Sequence, residues 1–144
     1  MKTKFSPIVF ALLLLSVSPG MSRTPGSKTP LTTGKATFFT YQSCLREGTS
    51  GITASGKLLV DAYLWCALPK ATVRAWNIKY GANVQITNLT NGHTVIVKYM
   101  DRGPGRKSRS RKVIVDLTQA AFLALGGDLK TGRLSVKVNK IMEN

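Results

Sequence analysis

Few side chains in this sequence are equipped for chemistry. Six carboxylates, one histidine and two cysteines stand against 21 lysines and arginines in 144 residues. The single imidazole, His93, and the two thiols, Cys44 and Cys66, are too few for a nitrogen and sulfur zinc site. They also leave a Cys-His or Ser-His-Asp nucleophile without its parts. Gly103-Pro104-Gly105 lacks the strand, lysine and helix that a phosphate loop needs. No metal and no cofactor is expected, so any acid or base must be a carboxylate.

The six are Glu47, Asp61, Asp101, Asp116, Asp128 and Glu143. Asp101 closes the apolar run VIVKYM and is followed by a turn and six cations: Arg102, Arg106, Lys107, Arg109, Arg111 and Lys112. It is either an acid/base group or a hydrogen-bond acceptor kept ionised by those cations. Asp116 stands where the β-branched run VIV meets a short helical stretch. A carboxylate there accepts backbone N–H bonds or pairs with an arginine, which is a structural part. Asp128 follows Gly126-Gly127 and Glu143 lies in the tail, so both read as solvated. Glu47 is a loop acid beside Cys44, a second candidate to swing into the cleft.

The elements that must carry these groups are mostly strands. Alternation places Val84 and Ile86 on one face of NVQITNL, Val95, Val97 and Tyr99 on one face of TVIVKYM, and Leu134, Val136 and Val138 on one face of RLSVKVNKI. Asn91-Gly92 predicts a tight hairpin between the first two, with His93 as a turn residue. ATFFTY and VIVDL add two β-prone runs. Only TQAAFLALGG reads as helical, with Thr118 as cap and Gly126 as stop. The expectation is a mainly β domain with one short helix, its strands closed into a small barrel so that no edge is exposed.

Residues 1–20 carry Lys2 and Lys4, an apolar stretch and small residues, the pattern of a secretory signal peptide. Residues 21–33 are rich in Ser, Thr, Pro and Gly and read as a flexible leader, leaving 34–141 as the folded domain. A periplasmic or secreted monomer is expected. In an oxidising compartment Cys44 and Cys66 are expected to pair. The formal charge of +15 favours polyanions, among which cell-wall polymers are the accessible ones for an exported protein. The basic run RKSRSRK contains no aromatic to stack on bases, so no nucleic acid is expected.

Four stretches extend this reading: GITASGK at 51–57, YGANVQITNLTNGHTVIVKYMDRGPG at 80–105, VIVDLTQAAFLALGG at 113–127, and the closing GRLSVKV. In this order they resemble the rare lipoprotein A-like domain, over about residues 34–141. The resemblance implies a six-stranded double-psi β-barrel, related in fold to expansin and barwin domains, to which WCALP at 65–69 is also similar. It further implies an activity like that of lytic transglycosylases, which cut the glycan strands of peptidoglycan and close an anhydro-sugar at the new end.

The family pattern puts an Asp at Asp101 and a Glu where this chain has Lys57. Asp101 is then the catalytic candidate, and Thr53, Ser55, Lys57, Arg102 and Arg106 are the candidates for binding sugar hydroxyls or wall carboxylates. A lone acid can suffice when the sugar's own hydroxyl is the attacking group. The alternative is a non-catalytic module that binds peptidoglycan or another anionic wall polymer through the same cleft. On the enzymatic reading, Lys57→Glu would raise the Asp101 pKa and increase cleavage.

Overall fold

Six strands close into one barrel in a computed structural model that describes residues 32–142. The expected signal peptide, and the leader through residue 31, lie outside the described residues. The elements in order are β1 (Thr33–Phe39), α1 (Tyr41–Arg46), β2 (Trp65–Leu68), α2 (Lys70–Trp76), β3 (Asn83–Asn88), β4 (Thr94–Arg102), α3 (Arg106–Ser110), β5 (Val113–Thr118), α4 (Gln119–Ala124) and β6 (Leu134–Lys140). Around the barrel the strands run β1-β5-β2-β4-β3-β6. Two neighbouring pairs are parallel, β1 with β5 and β2 with β4, and the other pairs are antiparallel.

The alternation expected in three strands is what fills the barrel. Val84, Ile86, Val97, Tyr99, Val136 and Val138 are buried, while Val95 and Leu134 pack at the margin of the same core. Phe122 of α4 is fully buried and meets Phe38 of β1 with ring centroids 5.0 Å apart. The β3–β4 hairpin turns through Gly92 at φ 77°, and the side chain of Asn91 accepts from the His93 N–H.

The described residues hold four short helices where one was expected. Each of the other three, α1, α2 and α3, has only five to seven residues, too few turns for a 3.6-residue period to show in the sequence. Local caps and packing hold them instead. Thr40 and Ser43 form a reciprocal capping box at the start of α1, and Asn77 ends α2 in the left-handed conformation. Thr118 does precede α4, but its hydroxyl does not cap it. That hydroxyl donates to the Tyr63 carbonyl and accepts from the Trp65 N–H, tying the start of β2 to the end of β5.

The expected Cys44–Cys66 bridge is not formed; both thiols are free. Cys66 lies on β2 between β4 and β5 and packs in the barrel core, whereas Cys44 sits half-exposed on α1. Burial pushes both thiols up, Cys66 far more strongly. Native protein treated with iodoacetamide is therefore expected to take one label, slowly, at Cys44, and a second only after denaturation. Native mass should equal that of the reduced chain; a deficit of two hydrogens would overturn the assignment.

Candidate active site

The site is organised by the four-residue strand β2. On one edge Cys66 pairs with Tyr99 of β4, and the register then shifts so that Ala67 pairs with Asp101, skipping Met100. On the other edge Cys66 pairs with Leu117 and Ala67 with Asp116. Residues directly opposed across a ladder project to the same face. Asp101 and Asp116 therefore flank one small side chain, the methyl of Ala67. Two residues beyond Asp101 the chain is small again: a Cβ added to Gly103 would lie 3.1 Å from Asp116 Oδ2 and 3.5 Å from Ala67 Cβ.

Asp101 is held by the segment that precedes β2. Ile52 and Leu58 form an isolated bridge, and between them the chain turns at residues 53–57 with Gly56 at φ 82°. The turn docks on β4 through the Ser55 N–H, which donates to the Met100 carbonyl at 3.1 Å. The Ala54 and Arg102 N–H groups both donate to Asp101 Oδ1 at 2.8 Å. With two donors aimed at it, that oxygen is an acceptor.

Asp116 has a different environment. It is the one residue of β5 that is not fully buried, and it faces β1, where Thr37 is its register partner and donates its hydroxyl to Oδ1. Among the described residues neither a backbone amide nor an arginine is its partner, contrary to the expected structural role. Desolvation raises its pKa, the Thr37 hydroxyl opposes the rise, and the negative charges of Asp101 and Glu47 add to it. A carboxyl whose pKa is raised by desolvation, next to a carboxylate that accepts two amide hydrogen bonds, offers a proton donor beside a proton acceptor. Sequence reasoning assigned Asp116 away from chemistry, yet the signal was present: one acid in an otherwise apolar strand must be held by something inside the fold.

The remaining acids have local roles. Asp61 accepts from the Tyr41 N–H at 2.7 Å and so anchors the start of α1. Asp128 accepts from the Lys130 N–H and the Thr131 hydroxyl, which hold its carboxyl below the usual range. Glu47 ends α1 and is exposed.

The other candidates divide. Thr53 and Ser55 are brought beside Asp101, but Thr53 is buried and its hydroxyl donates to the Lys57 carbonyl at 2.9 Å. Since that hydroxyl has one proton, the Ser55 hydroxyl 2.8 Å away must donate to it, so both belong to the turn's own network. Lys57 contributes its carbonyl to the turn and is exposed. Arg102 is exposed with its guanidinium 6.0 Å from the centre of the Tyr80 ring. Arg106 opens α3, beyond the Gly103-Pro104 turn, and is exposed.

The arrangement can be set beside known proteins. No family model matches the chain. A Treponema pallidum (strain Nichols) protein described as "Probable endolytic peptidoglycan transglycosylase RlpA" is 34% identical over 106 residues, which span 72% of this chain and 29% of that one. A solved Streptomyces papain inhibitor superposes with a TM-score of 0.51 at 27% identity, covering 75% of this chain and 93% of that chain. An expansin from Clavibacter michiganensis gives 0.54 at 22%, covering 78% and 51%, a likeness of fold. The domain is an RlpA-like double-psi β-barrel. A mutant of the same expansin, solved in complex with cellohexaose, superposes at 0.53 and 20% identity over the same shares. The RlpA-like barrel thus corresponds to under a third of the Treponema protein's length.

Proposed function

We propose that the protein is a periplasmic or secreted enzyme that cleaves the glycan strands of peptidoglycan in the manner of a lytic transglycosylase, with Asp116 as the acid and Asp101 as the base. The observation that carries this is the pairing of both carboxylates with Ala67, one oxygen filled by amide donors and the other group desolvated beside a single hydroxyl. Likeness to a protein described as a peptidoglycan transglycosylase, and to an expansin that takes an oligosaccharide, supports the substrate class.

In the proposed reaction Asp116 gives its proton to the glycosidic oxygen, and the bond from that oxygen to the anomeric carbon breaks with the electron pair on the leaving oxygen. A hydroxyl of the same sugar closes onto the anomeric carbon, and its proton passes to Asp101. No water nucleophile is needed, because the attacking group is already tethered. A proton returned to Asp116 from solvent, and one lost from Asp101, reset the pair. The acid/base exchange is the part the protein supplies.

Because the second carboxylate is Asp116, the family Glu is not required at position 57. Lys57 is exposed and its charge is screened. Lys57→Glu is expected to change cleavage by no more than about fivefold, rather than switch it on. The overall test is incubation of the purified protein with peptidoglycan and mass spectrometry of the soluble products. Anhydro-sugar ends are the expected result; retention on the intact wall with no released fragment would replace the enzyme by a binding module.

A further inference from the structure

Beside the acid pair lies a furrow that the proposed reaction does not use. It is a cavity of about 530 Å³ between α2, the 78–80 loop and β4, and it contains neither Asp101 nor Asp116. Four cations line it, Lys70 and Arg74 one turn apart on α2, Lys79, and Arg102, and no carboxylate among the described residues does. Like charges gathered round one space repel, and an anion placed among them relieves that repulsion. Ile78, Lys79 and Tyr80 also line a second cavity of about 530 Å³.

The aromatic groups of the furrow are already engaged. Tyr80 stacks on Tyr99 with centroids 5.0 Å apart, and the Arg102 guanidinium lies over the Tyr80 ring. Burial, with the hydrogen bond to Tyr80, pushes the Tyr99 phenol up to about 12, so it stays protonated. Base stacking needs open ring faces, and this pair is occupied with itself and Arg102. What the furrow offers a ligand is charge and hydrogen-bonding edges. Arg102, which lines the furrow, immediately follows Asp101 on β4, so the furrow lies one residue from the acid pair along the strand.

We infer that this furrow is a second binding site, for a carboxylate-bearing sugar unit of the polymer on which the acid pair acts. The inference rests on the polysaccharide reading of the neighbouring site and adds the class of sugar. It makes the barrel selective for acidic glycan, with Lys70, Arg74, Lys79 and Arg102 as the charge-reading groups and the tyrosine pair as a rigid wall.

The test is isothermal titration calorimetry on the full chain carrying Asp116→Asn, so that ligands stay intact. The probes are a hexamer of galacturonic acid, neutral cellohexaose, and a single-stranded oligodeoxynucleotide of equal charge. The uronate is expected to bind at least about tenfold tighter than the neutral hexamer, and Lys70→Glu with Arg74→Glu to weaken it at least about tenfold. Lys107→Glu with Arg109→Glu on exposed α3 removes the same charge elsewhere and should cost under about threefold. Equal binding of neutral and acidic hexamers, equal losses in the two double variants, or preference for the oligonucleotide would each overturn the site. Cleavage by the unmutated chain is scored separately. Uronate binding without any cleavage leaves the furrow standing and removes the catalytic reading; cleavage without acidic preference does the reverse.

Discussion

Asp116→Asn is expected to lower glycan cleavage by roughly 100- to 10,000-fold and at the same time to raise the melting temperature at neutral pH. The two effects share one cause. Desolvation raises the Asp116 pKa in the folded barrel above its unfolded value, so the native state holds this proton more tightly than the unfolded chain. The stability so contributed is fully present below the unfolded pKa and is lost as pH rises through the folded pKa. Above that window the barrel carries a half-buried anion. Asparagine keeps an oxygen for the Thr37 hydroxyl and removes the charge. Wild-type cleavage should fall as pH rises through the same elevated pKa, since the acid must hold its proton. Thermal unfolding followed by circular dichroism from acidic to neutral pH, with product release over the same range, checks both. A destabilised Asn variant at neutral pH would mean that Asp116 is a paired, charged structural group.

Replacing Asp101 separates its two duties. Asp101→Ala takes the acceptor from the Ala54 and Arg102 amides, both at exposed positions where water replaces it, at a net cost of about 0.5–1.5 kcal/mol, and leaves the 53–57 turn held on β4 by the Ser55 N–H bond to the Met100 carbonyl alone. Asp101→Asn keeps an oxygen in place, so the turn should remain docked, but a carboxamide cannot take a proton from the attacking hydroxyl. Both variants are expected to lose at least about 100-fold in cleavage, and only the alanine variant should show faster hydrogen exchange at Ala54. Retained activity in Asp101→Asn would remove Asp101 from the chemistry and leave it as a turn anchor.

Much of the barrel could be read before folding because its strands alternate. Val84 with Ile86, Val97 with Tyr99, and Val136 with Val138 each repeat every second residue, and each pair is buried. β2 escaped that logic: from Cys66 to Leu68 it is buried on both faces, with no polar beat to betray a strand. The short helices escaped it through length. The site was half legible. Asp101 stood out through its neighbours in sequence, whereas the environment of Asp116 comes from Thr37 and Ala67, 79 and 49 residues away along the chain. The free thiols show the same limit, since export and an even count say nothing about which way a strand points its cysteine.

The offset in the β2–β4 ladder after Cys66 has a consequence for how this barrel tolerates change. The small side chain at Ala67 leaves room between the acids, and the count of residues leading up to it decides which residues stand there. Were the ladder to continue without its skip, Met100 would stand opposite Ala67 and a thioether would replace the carboxylate beside Asp116. One residue inserted or deleted between Trp65 and Leu68 would thus separate the acids while leaving every one of them in the sequence. The spacing works as a combination lock: the acids meet only when the count across those four positions is right.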